Sequence, residues 1–155
     1  MALDAQVATD TVPGGKIAVD FTPDISAAAT QSSTHVALGK GGLPQDSWFV
    51  VDQTTLGDAD GDAGDMVLYL ELSTDNGAHY YKVAEVTFLA GELAIAGKRR
   101  ACPIGLIDVV PERLATATIA VRVTATWTQD ADGTDNPVFQ CYLAGPQHAR
   151  QAPYV

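Results

Sequence analysis

Residues 118–127 read Thr-Ile-Ala-Val-Arg-Val-Thr-Ala-Thr-Trp, and no other segment constrains the fold as strongly. Ile119, Val121, Val123, Ala125 and Trp127 fall on one side of an extended chain. Thr118, Ala120, Arg122, Thr124 and Thr126 fall on the other. Successive side chains of a strand point to opposite faces, so this period of two marks an antiparallel strand covered on one face and polar on the other. The pattern recurs where Met66, Leu68, Leu70 and Leu72 alternate with Val67, Tyr69 and Glu71. In 79–88, Tyr81 and Val83 share one face, and Lys82, Ala84 and Val86 the other. Shorter strands are expected at 16–21, 34–38, 47–51, 92–95, 102–107 and 138–143.

Turn signals separate these runs: Pro13-Gly14-Gly15, the glycines at 39–42, Asp75-Asn76-Gly77, Ala90-Gly91 and Ala131-Asp132-Gly133. Of these, Asp75-Asn76-Gly77 between two alternating runs is a hairpin signal. No helix is expected; 25–31 is short and 111–114 is one turn at most. Of the 19 acids, 15 are Asp and four Glu. Asp builds turns and forms helices poorly, so the ratio also favours a loop-rich β protein. Eight or nine short strands in 155 residues predict an all-β chain, an antiparallel β-sandwich or jelly roll of about eight strands. Residues 1–15 and 144–155 lack periodicity and read as extended N- and C-terminal arms around a single domain at 16–143.

The net charge of −10 disfavours nucleic acid and anionic membranes as partners. Charged residues are only 18% of the chain, which suits a surface partly covered by copies or partners. The start, Met-Ala-Leu-Asp-Ala-Gln, has no basic or apolar leader character, and no apolar run is long enough to span a bilayer, so synthesis in a host cytoplasm is expected. Cys102 and Cys141 fit neither a disulfide framework nor a zinc pattern and read as buried small hydrophobes. Trp48 and Trp127 read as core, or one of them as an interface residue.

Catalytic signatures are missing. His35, His79 and His148 form no metal-binding pair, which leaves a cupin-like hydrolase or isomerase without its metal signature, and there is neither a nucleophile elbow nor a phosphate loop. No catalytic or cofactor-binding residue is expected. The Asp-rich stretch offers Asp58, Asp60, Asp62 and Asp65 as candidate calcium ligands, since alternating Asp and Gly place hard oxygens around a cation. The EF-hand register fails, with Ala63 and Tyr69 where Gly and Glu belong, and solvated turns account for the same residues. Residues 130–135 echo the pattern. Lys98, Arg99 and Arg100 hold a third of the positive charge after a Gly97 turn, as a solvated loop or as a patch for an acidic partner.

The opening Leu3-Asp4-Ala5-Gln6 with its polar arm is similar to that of the capsid cement proteins of tailed phages, of the podophage type known from a Bordetella phage. Similar too, in this order, are the acidic turn, the strand 66–72, the turn 73–77, the run 83–89, Ala96-Gly97-Lys98, Pro103-Ile104-Gly105 and the long strand 118–127. The resemblance covers most of 1–143; it departs at 58–65 and after Leu143. It implies a jelly-roll cement (decoration) protein on the outer surface of an icosahedral virion head, commonly a homodimer rather than a trimer. There it would bridge major capsid proteins, with Leu3, Asp4, Gln6, Lys98, Arg99 and Arg100 as interface candidates and no catalytic residues. The alternative is a calcium-dependent jelly-roll carbohydrate-binding module, with Tyr80 or Tyr81 exposed beside 58–65.

Overall fold

A computed structural model describes residues 16–27, 30–39, 48–57, 64–104, 119–128 and 135–144. Its strands are β1 (Lys16–Phe21), β2 (Thr30–Ser32), β3 (Val36–Gly39), β4 (Trp48–Thr55), β5 (Met66–Ser73), β6 (Tyr81–Phe88), β7 (Arg99–Pro103), β8 (Ile119–Thr126) and β9 (Val138–Ala144). One helical turn, α1 (Ala90–Leu93), joins β6 to β7. It takes up Glu92 and Leu93 of the 92–95 segment expected as a strand, and no strand forms there. Glu92 Oε2 accepts from Leu89 N at 3.1 Å and Leu93 N donates to Leu89 O at 3.2 Å, which closes the turn helically.

The strands form two antiparallel sheets. Sheet A runs β1-β9-β4-β7; sheet B runs β2-β8-β5-β6, with β3 also on β8. β2 pairs with the Thr124–Thr126 end of β8, and β3 with its Ile119–Val121 end. The two pieces are therefore one interrupted edge strand, which leaves eight strand positions. With that merger only β5→β6 connects neighbours within a sheet; every other step crosses between sheets. This is the strand order of a jelly roll.

The alternating residues fill the space between the sheets. Met66, Leu68, Leu70, Leu72, Val121, Val123, Ala125 and Trp127 from sheet B meet Phe49, Val51, Phe139, Cys141 and Leu143 from sheet A in one cluster. Phe88 and Phe139 join the layers, with ring centroids 5.1 Å apart. Ile25, fully buried, ties the β1–β2 connection to this core. Its carbonyl accepts from Trp127 Nε1 at 3.2 Å, and its N–H donates to Asn136 Oδ1 at 3.1 Å. Trp48 is different: it packs with Val50, Tyr142 and Ala101 on the outer side of sheet A. Of the cysteines, Cys141 is buried and Cys102 half-buried.

The faces expected for 79–88 are corrected by a bulge. Leu70 pairs with Ala84, but Glu71 pairs with Lys82, so Val83 is an extra residue. An extra residue reverses which side the following positions face. Lys82 is thereby released from the core side, where strict alternation with Ala84 and Val86 had put it. Its Nζ lies 4.7 Å from the Tyr69 ring centre and 3.1 Å from Glu85.

Candidate functional site

Leu3, Asp4, Gln6, Asp58, Asp60 and Asp62 lie outside the described residues. Asp65 is exposed, and its Oδ1 accepts a hydrogen bond from Ala90 N at 3.0 Å, at the start of α1. It precedes β5, whereas Tyr81 pairs with Leu72 near the other end of that strand. At about 3.3 Å per residue, the separation is roughly 20 Å or more. Tyr80 and Tyr81 therefore do not stand beside Asp65, as the calcium-dependent module requires. No group of three His, Cys, Asp or Glu among the described residues is arranged to hold a metal.

The Lys98-Arg99-Arg100 run is also placed differently from the turn expected. Gly97, at φ 86°, makes the turn, and both arginines belong to β7. Arg99 faces Asp52 across the β4–β7 ladder. It donates from Nε to Oδ1 at 2.5 Å and from Nη2 to Oδ2 at 2.7 Å, with the Tyr142 hydroxyl 2.7 Å from Nη2. The Arg99 side chain is only 6% exposed. Arg100 pairs with Glu92 and lies over the Phe88 ring at 5.6 Å. The N–H donated by Leu89 and the Arg100 charge hold the Glu92 carboxyl below its usual range. Arg99 is thus committed inside the fold, whereas Arg100, paired with Glu92, keeps 34% of its side chain exposed.

A second constellation gathers where the edge strand of sheet B breaks. Ser33, Thr34 and His35 separate β2 from β3, yet Ser33 still holds β8. Its N–H donates to Val123 O at 2.8 Å, and its Oγ accepts from Val123 N at 3.0 Å. The gap bares Arg122, which points to the outer face of β8. Arg122 Nη2 donates to Glu71 Oε2 on β5 at 3.0 Å, and the guanidinium lies 3.7 Å from the Tyr80 ring centre. Tyr80 OH is in turn 3.2 Å from His35 Nδ1. Ser33, Thr34, His35, Tyr80 and Arg122 line an open depression of about 370 Å³.

The β5–β6 connection holds Tyr80 in place. Ser73 Oγ accepts from Gly77 N at 2.8 Å, Asp75 Oδ1 accepts from His79 N at 2.8 Å, and Asp75 Oδ2 lies 2.5 Å from His79 Nδ1. These bonds from His79 and Ser73 keep the Asp75 carboxyl well below the usual carboxylate range. Gly77, at φ 91°, lies so close that a Cβ there would come within 3.0 Å of both His35 Nδ1 and Tyr80 OH. The sequence pattern places Arg122 on the outer face of its strand and Tyr80 near the start of the strand 79–88, but does not bring the two together. The usable signal was that Glu71 and Arg122 are opposite charges on the outward faces of the two clearest strands.

No protein-family model matches the chain, and no curated protein matches it. Among solved structures, it is similar to the structure of infectious bursal disease virus, Gx strain. The identity is 10% and the TM-score 0.33, over 86% of this chain and 34% of that one. It is likewise similar to the xylanase 10B CBM22-1–GH10 modules of Clostridium thermocellum, solved with xylohexaose. Here the identity is 13% and the TM-score 0.34, over 77% of this chain and 20% of that one.

Proposed function

We propose that this chain is a structural virion protein. It acts as a cement or decoration protein that binds the outer surface of a tailed-phage head and stabilises contacts between major capsid proteins, as a homodimer. The observation that carries the reading is the strand order, with sheets β1-β9-β4-β7 and β2/β3-β8-β5-β6. This is the jelly roll that the resemblance to podophage cement proteins implies. Large apolar side chains stand exposed around α1 at Leu56, Leu89 and Ile95, as suits a molecule partly covered in its assembly. Repetition over a shell multiplies each modest contact.

The test is co-sedimentation with empty heads lacking their decoration protein, together with native mass by light scattering in calcium and in EDTA. A dimer that pellets with heads and ignores EDTA is expected. A monomer that stays in the supernatant, or one that assembles only with calcium, overturns the reading.

A further inference from the structure

The depression at the break between β2 and β3 is a built feature, not a gap left by loose packing. Two hydrogen bonds between Ser33 and Val123, one donated and one accepted by Ser33, hold its floor to β8, and the left-handed Gly77 lets the β5–β6 connection close on His35 and Tyr80. The Arg122 guanidinium carbon lies 3.7 Å from the centre of the Tyr80 ring, so the group is held between that ring and Glu71 before any ligand arrives. Of the five N–H donors of that group, one on Nη2 reaches Glu71, while Nε is buried without an acceptor. The arginine side chain keeps 31% of its surface exposed, so the group is both positioned and reachable.

The chemistry of the lining selects the ligand. Glu71 balances the Arg122 charge, so the site lacks the surplus of cations that phosphate or sulfate recognition gathers. Donors from Arg122 stand beside hydroxyls of Thr34 and Tyr80 and the ring of His35, which both donate and accept. A mixed set of this kind matches a ligand whose groups also do both. The volume, about 370 Å³, is near the small end of ligand sites and open, which fits one unit of a longer chain lying across the surface. We infer that this depression binds a saccharide unit without a metal. The inference does not depend on the decoration reading, and it locates the ligand about the length of β5 away from Asp65.

The test uses the full-length ¹⁵N-labelled protein in EDTA. It is titrated with the methyl glycosides of glucose, galactose, mannose and N-acetylglucosamine, and separately with acetate and inorganic phosphate. At least one glycoside should give saturable shifts confined to Ser33, Thr34, His35, Gly77, Tyr80 and the Arg122 side chain. The paired substitution Arg122→Gln with Glu71→Gln removes both charges together and should weaken binding about tenfold or more. If that pair does not fold, Thr34→Ala and His35→Ala, on the exposed link, should each weaken binding with the melting temperature unchanged. Absence of saturable shifts with every glycoside overturns the proposal. So do the same shifts with acetate or phosphate alone, a requirement for calcium, or undiminished binding in the variants.

Discussion

At the scale of single residues, the fold turns groups that look reactive or sticky into internal ones. Arg99 and Arg100 adjoin Lys98 in sequence but differ from it in consequence. Arg99→Glu would set two carboxylates against each other in a nearly solvent-free pair, and loss of one partner from such a pair costs about 3–5 kcal/mol. Lys98→Glu should change the melting temperature little, and a comparison of the two melts checks the difference. Asp75 supports the β5–β6 connection through a carboxyl whose ionisation is favoured in the folded state. Its contribution is therefore complete above its ordinary value of 3.8 and is lost as pH falls toward the depressed folded value. Melts of Asp75→Asn should lie below wild type at pH 7, with the gap narrowing below about pH 4. A gap independent of pH would mean that the carboxylate is not what holds the turn. Burial pushes the Cys141 thiol far up, whereas Cys102 is half-buried. The thiolate is the reacting form, so a disulfide exchange reagent should titrate one thiol in the native protein, at Cys102, and the second only on unfolding.

At the scale of elements, legibility followed how local the deciding interaction is. β5 and β8 could be read because alternation is a property of the strand itself, and Asp75-Asn76-Gly77 marked the one connection that stays within a sheet. Asn76 and Gly77 adopt the positive φ values that signal favours. Residues 92–95 could not be told from a strand, since Leu93 and Ile95 two apart imitate strand alternation and four residues are too few for a helical period to show. The bulge at Val83 was hidden too, because only the partner strand shows which residue is extra. The pairing of Arg99 with Asp52 and the meeting of His35, Tyr80 and Arg122 depend on contacts 42 to 47 residues apart. The bulge makes a sharp prediction. Deleting one residue from the middle of a strand normally reverses every side chain beyond it. Deleting Val83 should instead leave Lys82 opposite Glu71 and Ala84 opposite Leu70, at a cost below about 2 kcal/mol for the lost partial packing. Deleting Glu85, in the regular part of β6, should prevent folding. Amide spectra and melts of the two variants separate these outcomes.

At the scale of the whole molecule, the two sheets depend on one shared interior. Side chains from β4 and β9 interlock with those from β5, β6 and β8, and the connections cross so often that neither sheet is a continuous piece of chain. Such a molecule has no half that can melt alone, so it should unfold in one transition. The two tryptophans provide separate reporters, Trp48 on the outer side of sheet A and Trp127 in the core at the end of β8. Versions retaining only one of them should give coincident denaturant curves. Phe139→Ala removes a fully buried ring in sheet A that meets Phe88 of sheet B. Such a truncation costs about 3–5 kcal/mol, which lowers the melting temperature of a domain this size by roughly 6–20 °C. The shift should be the same through either tryptophan, although the deleted ring belongs to sheet A alone. If the Trp48 curve moved and the Trp127 curve did not, the sheets would be separate cooperative units, and the shared core would not be what couples them.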